Sequence, residues 1–276
     1  MNARYQALVL DLDGTLLDDA GAIRPRTLGA LHAAHARGVR VMIATGRSEL
    51  GVAQTLATLA MDTPAIVYNG AGLFCPIEKC LLEERLLSDR VVARSFDYAA
   101  RSGLLSVIQV AGAKYATHPR DESEARALRG LEGLRYVTPS ELPREYVIRI
   151  TFFSDRHPSS GALAAEVEAA LAQPLHTTHF PLNALAPHRD SSLLVVDVQP
   201  PCRGKGEALR VLDERYGIQR QAVVAVGDAD NDLPMLTAAG LGVAMQNGMP
   251  RVLAVAARVI GHKNSDAIAE LVEELF

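Results

Sequence analysis

Short, wholly apolar runs alternating with helical stretches constrain this chain more than any other feature of its sequence. "YQALVLDLDG" (5–14), "VRVMIATG" (39–46) and "PAIVYNGAG" (64–72) are rich in aliphatic and β-branched residues and end in Asp, Asn or Gly. Such runs read as strands buried on both faces. Between them, "RPRTLGALHAAHARGV" and "SELGVAQTLATLAM" repeat their apolar residues at helical spacing. Strand, helix, strand, helix, strand predicts parallel βαβ units. The pattern returns at the other end, where "GKGEALRVLDERYG" is helical and "AVVAVGDADND" is a strand running into acids. The helix "DLPMLTAAG", the strand "LGVAM", the helix "PRVLAVAA", the strand "RVIG" and the helix "DAIAELVEELF" follow. The two ends are expected to be halves of one doubly wound α/β sheet.

Residues 81–189 break the rhythm. Strand-like pieces such as "LLSVIQVAG", "KYATHP" and "YVIRITFF" mix there with the helices "SDRVVARSFDYAARSG" and "SGALAAEVEAALA", and "SSLLVVDVQ" lies just beyond. This predicts an inserted α+β domain at 81–189 within a core formed by 1–80 and 190–276, both of ordinary domain size. The Pro/Gly hinge "QPPCRG" lies beside the second crossing.

The 276 residues, 49% hydrophobic, suffice for a sizeable core, and the formal charge is −4. No Lys/Arg-rich block and only 5% aromatics argue against a nucleic-acid surface, leaving small molecules as the expected partners. No apolar stretch reaches spanning length and the N-terminal run is interrupted too soon by acids for a signal peptide, so no membrane partner and a cytoplasmic location are expected. Cys75, Cys80 and Cys202 lack zinc-type spacing and are expected to be free thiols. Nothing here fixes the oligomeric state.

Open parallel sheets bind ligands beyond the carboxyl ends of their strands. That is where the polar residues of this chain gather: "DLDGT" after the first strand, "ATGR" after the second, "YNG" after the third, "GDADND" after a later one, with "GKG" opening a helix. Any one of these reads as a turn or cap; together they point to phosphoryl transfer. Asp11, Asp13 and Asp228 are hard oxygen ligands suited to Mg²⁺. Thr45 offers a hydroxyl, Gly46 and Gly14 backbone N–H groups, and Lys205 a positive charge for phosphoryl oxygens. One aspartate can attack phosphorus while another shuttles the proton.

"DLDGT" (11–15), "TGR" (45–47), "GKG" (204–206) and "GDADND" (227–232) resemble the four motifs of the haloacid dehalogenase superfamily. The insertion matches the position of its C2 cap, and "LPML", "GVAMQNG" and "NSDAIAELVEE" resemble the Cof-type branch, subfamily IIB, of phosphatases acting on small phosphorylated metabolites. The resemblance implies a Rossmann-like core with a C2-type cap. It implies Asp11 as nucleophile through an aspartyl-phosphate, and Asp13 as general acid and base and a Mg²⁺ ligand through its backbone carbonyl. Thr45, Gly46, Lys205 and Asn231 would hold phosphate oxygens, Asp228 would be a further metal carboxylate, and Asp232, Asn69 and Arg47 would support them. The chain departs from the family pattern in the loops near Gln246 and Ala267. The same branch contains phosphomannomutases, so a phosphomutase is an alternative, as is a regulator that binds phosphometabolites without turnover.

Other residues read as structural. His176 and His179 in "HTTH" lack a nearby acid and are taken as cap polar residues, His32 and His35 flank a helix, and Asp18 and Asp19 sit in a turn before Gly21. In the cap, Arg149, His179 and His188 are the candidates for contacting the leaving group.

Overall fold

A strand with no solvent-facing side forms where the sequence is continuously apolar. In the computed structural model, which describes residues 5–185 and 188–276, all four residues of β1 (Ala7–Leu10) are buried. The chain continues through α1 (Pro25–Ala36), β2 (Arg40–Ile43), α2 (Glu49–Leu59), β3 (Ala65–Val67), β4 (Gly72–Cys75) and β5 (Cys80–Glu84). Next come α3 (Asp89–Ser102), β6 (Leu105–Val110), β7 (Ala113–Ala116), α4 (Glu122–Leu128), β8 (Leu134–Tyr136), β9 (Arg149–Ser154), α5 (Ser160–Leu171), β10 (His176–Pro181) and β11 (Leu194–Gln199). The chain ends with α6 (Glu207–Tyr216), β12 (Val223–Gly227), α7 (Leu233–Ala238), β13 (Leu241–Met245), α8 (Pro250–Val255), β14 (Arg258–Ile260) and α9 (Ala267–Leu275).

Two compact units result. The first holds the chain through Ser48, Val52–Glu83 and Arg203–Phe276. Its parallel sheet has the order β14-β13-β12-β1-β2, with Ala7 opposite both Val223 and Arg40. A parallel bridge between Ala44 and Ile66 leads from this sheet to β3, which forms a small sheet with β4 and β5. One face of the sheet packs Val9, Met42 and Ala225 with Ala208, Val211 and Leu212 of α6 and Met235 of α7. Pro25 starts α1, where its missing N–H costs nothing.

The second unit holds Glu49–Gly51 and Glu84–Cys202. Its six strands run β10-β11-β9-β6-β7-β8, antiparallel except for β7 with β8. One sheet face carries Ile108, Ile150, Phe152, Val196 and Val198 against Val91 and Tyr98 of α3 and Leu163 and Val167 of α5. Ser88 caps α3 and Ser159 caps α5, each accepting a backbone N–H three residues on.

The expected boundaries at 80/81 and 189/190 shift to 83/84 and 202/203. The first moves because β5 joins the sheet of β3 and β4. The second moves because β11 pairs along its length with β9 and β10, which ties the segment to the inserted sheet. Among the described residues no helix is long and apolar enough to cross a membrane.

Candidate active site

The strand order of the first unit's parallel sheet reverses at one place. From β1 the order runs outward through β2 on one side and through β12, β13 and β14 on the other, so the carboxyl ends of β1 and β12 flank the switch point. Loops diverge there and leave a crevice for a ligand. The Asp11 N–H donates to the Val226 carbonyl at 3.1 Å, which holds the start of the first acidic loop against the end of β12.

Between those two strand ends lies a buried ionic cluster. Lys205 Nζ donates to Asp11 Oδ1 and to Asp232 Oδ1, each at 2.6 Å, and the lysine is 1% exposed. Asp232 also accepts the backbone N–H groups of Asp228 (2.8 Å) and Ala229 (2.9 Å) on Oδ2, so both its oxygens are engaged. Asp228 Oδ1 accepts the Thr15 hydroxyl at 2.8 Å. Gly14 fits this corner at φ +91°, where a Cβ would come within 2.2 Å of Asp228 Oδ2. Only glycine adopts that backbone and allows that approach without strain.

The electrostatics follow from burial. Loss of solvent, followed by the charge of Asp232, holds the Asp11 carboxyl well above the ordinary carboxylate range despite the pull of Lys205. Burial and Asp232 likewise push Asp228 up to about 6, against the lowering effect of the Thr15 hydrogen bond and Lys205. Burial acts to lower Lys205, but the charges and hydrogen bonds of Asp11 and Asp232 outweigh it and raise it, so the lysine stays protonated. Oxygen atoms of Asp11, Asp228 and Asp232 lie within 4.8 Å of one another. Two buried carboxylates and the half-buried Asp228 face a single ammonium, an excess of negative charge that disfavours full ionisation. This donor set, all hard oxygen, fits a divalent cation such as Mg²⁺.

Beside the cluster, the loops after β2 and β3 are stitched together. Tyr68 N–H donates to the Arg47 carbonyl at 2.9 Å and Asn69 N–H to the Thr45 carbonyl at 3.0 Å. Thr45 Oγ1 accepts the Arg47 N–H at 3.1 Å, and its own proton remains a donor. Asn69 Oδ1 accepts from Asn231 Nδ2 at 3.0 Å, and a Cβ on Gly46 would lie 3.1 Å from that same oxygen. Tyr68 and Asn69 hold left-handed backbone at φ 52° and 50°, a strained arrangement of a kind that clusters at functional sites. Asp13 stands nearer solvent, gripped by Arg47 through Nε to Oδ2 (2.8 Å) and a terminal nitrogen to Oδ1 (2.5 Å).

The haloacid dehalogenase-like hydrolases match this chain over residues 8–272. The chain belongs to that family. The hydrolase is 33% identical to an HMP-PP phosphatase of Cronobacter sakazakii, across 94% of this chain and 91% of the relative. It is 29% identical to the pyridoxal phosphate phosphatase YbhA of Escherichia coli, across 97% of each. Its fold matches the subclass IIB sugar phosphatase BT4131 with a TM-score of 0.80 at 22% identity, across 98% of both chains. The Cof-type resemblance agrees with these relatives.

All ten core residues expected from the sequence lie in the first unit, at the carboxyl ends of its strands or on the loop that opens α6. Two residues of the hydrolase that the sequence reading did not single out also hold the site. Thr15 orients Asp228, and Asn247 Nδ2 donates to the Gly14 carbonyl at 2.7 Å while its Oδ1 accepts the Lys263 N–H. The signal for Asn247 was present in "AMQNG", where an amide follows a strand end. The cap candidates do not converge. Arg149 is buried on β9 beside Asp197, while His179, on the opposite face of the sheet, meets Ser160 at 3.1 Å. His188 is half-buried, and burial lowers its imidazole pKa.

Proposed function

We propose that this hydrolase cleaves phosphate monoesters of small metabolites, with Asp11 as nucleophile and Asp13 as the proton carrier. The observation that supports this most directly is the buried grip of Lys205 on Asp11 at 2.6 Å, at the switch point where Asp228 also lies. That contact fixes Asp11 by one oxygen and leaves the other to attack. A lone pair on that oxygen forms the bond to phosphorus while the bond to the departing oxygen breaks, and Asp13 gives the departing oxygen its proton. Water, losing a proton to Asp13, then attacks phosphorus, releasing inorganic phosphate and restoring Asp11.

Thr45, Gly46, Lys205 and Asn231 are assigned to the phosphoryl oxygens. Asn69 orients the Asn231 amide, and Asp232 orients Lys205 by accepting from it. Arg47 positions the Asp13 carboxyl by gripping both of its oxygens, and a dianionic phosphate drawing Arg47 toward itself would turn Asp13 to the departing oxygen. Asp11, Asp228 and the backbone carbonyl of Asp13 are the residues that would hold Mg²⁺. When bound, the ion supplies positive charge against the phosphoryl oxygens and the repulsion among the carboxylates. Phosphatase relatives that act on HMP-PP and on pyridoxal phosphate support a small phosphorylated metabolite as substrate.

The test is phosphate release across sugar phosphates, nucleotides and phosphorylated cofactors, with and without Mg²⁺. Metal-dependent release, reduced about 10³-fold or more in Asp11→Asn, is expected for removal of a covalent nucleophile. Formation of a sugar-phosphate isomer in place of free phosphate would establish the mutase alternative instead.

A further inference from the structure

The short hairpin that follows the first acidic loop is held from outside by a loop near the other end of the chain. Asp18 shapes the hairpin tip, accepting the Ala20 and Ala22 N–H groups on Oδ1 at 2.9 and 3.0 Å. Leu17, at its base, makes one backbone bridge to Ile23 and another to Asp13. The hairpin therefore leans on the backbone of the residue assigned as proton carrier.

Asp19 is where the outside loop takes hold. Lys263 Nζ pairs with Asp19 Oδ1 at 2.7 Å, Asn264 Nδ2 donates to Asp19 Oδ2 at 2.8 Å, and Asn264 Oδ1 accepts the Asp19 N–H at 3.1 Å. Just past the hairpin, Arg24 Nε donates to Asp266 Oδ1 at 2.8 Å. The same loop is tied to the Gly14 corner, because the Lys263 N–H donates to Asn247 Oδ1 at 2.9 Å and Asn247 Nδ2 donates to the Gly14 carbonyl at 2.7 Å. Residues 14–19 are thus gripped at both ends. Between the grips lie Thr15, which orients Asp228, and Leu17, which bridges to Asp13.

Stability does not account for this arrangement. Asp19 and Asn264 are exposed, and exposed polar and ionic pairs add little to folding. The turn is already closed by Asp18 and needs no outside help. Three contacts on one solvent-facing aspartate, reaching it from a loop 245 residues along the chain, fix a position. On the reading of Asp13 as proton carrier, we propose that Lys263 and Asn264, by latching Asp19, are positioning residues that hold Asp13 where it protonates the departing oxygen.

The experiment compares two esters in the full chain with Mg²⁺: the sugar phosphate released fastest in the panel above, whose alkoxide needs a proton as it leaves, and p-nitrophenyl phosphate, whose phenolate does not. The quantity read is kcat/KM, which covers the steps through departure of that group and excludes the later attack of water. Asp19→Ala and Asn264→Ala should each lower kcat/KM for the sugar phosphate about tenfold, a part of the factor a general acid supplies, and that for p-nitrophenyl phosphate less than about twofold. Lys263→Ala added to Asp19→Ala should cost no more than Asp19→Ala alone, because both break one contact. Asp13→Asn is the control, expected to lower the sugar phosphate value far more than the other. If it does so while the Asp19 and Asn264 variants leave both esters unchanged, or slow both equally, the latch is overturned and the role of Asp13 stands. If Asp13→Asn slows the two esters equally, or the parent cleaves neither, both are overturned.

Discussion

Asp228 carries a titration with a consequence for the whole fold. Its folded-state pKa of about 6 lies above the ordinary carboxylate value of 3.8. The folded protein therefore binds this proton more tightly than the unfolded chain does, and Asp11 is shifted in the same direction. Their contribution to stability is present at acid pH and is lost as pH rises through about 6 for Asp228. Thermal scans of chelator-treated protein should show the melting temperature falling between pH 5 and pH 7, and Mg²⁺ should restore it most at the upper end. A melting temperature that rises over that window in the absence of metal would contradict the raised values. At the same scale, Asp232→Ala strips Lys205 of one partner and leaves two backbone N–H groups open. We expect a loss of about 3 kcal/mol, read by urea unfolding, as for other broken buried pairs.

The elements matter through their ends. β1 and β12 are buried along their whole lengths, so their register is fixed and the loops that leave them start from defined positions. Gly14 is the tightest point of that construction, with its φ of +91° and its approach to Asp228. Gly14→Ala should cost about 1–3 kcal/mol in backbone and contact strain. It should lower kcat about 100-fold, because displacement of a reacting group by about 1 Å is enough for that. Circular dichroism together with phosphate release checks both. The strand ends were legible in the sequence because a continuous apolar run stops abruptly at Asp or Gly. The hairpin of β4 and β5 and the strand β10 were not, since "CLLEE" and "HTTHFP" are at most half-buried and carry no apolar run.

Over the whole molecule, each unit has its own hydrophobic core, one centred on the parallel sheet with α6 and α7 and one on the antiparallel sheet with α3 and α5. Phe152 is fully buried in the latter and meets Tyr98 edge-on at 5.6 Å. Phe152→Ala should cost about 3–5 kcal/mol. Hydrogen exchange should report the loss as reduced amide protection over β6, β9 and β11; unchanged protection there would show that the cavity is absorbed elsewhere. The second domain boundary belongs to this scale too. The stretch "SSLLVVDVQ" at 191–199 names a strand, but its partners β9 and β10 come from the inserted segment, and pairing rather than composition assigns it.

The sequence by itself determined the doubly wound core, the inserted domain and which candidate acids, threonine and asparagines stand at the strand ends and which lysine opens α6. It could do so because buried strands and the loops after them are local in the chain and leave periodic and compositional marks. The tertiary structure alone decided that Asp232 spends both oxygens on Lys205 and the loop of Asp228, and that Arg47 grips Asp13. It alone brought Lys263 and Asn264 onto Asp19. Those relations join residues far apart in the chain. They exist only once sheet order and register set which strand ends and which side chains are neighbours.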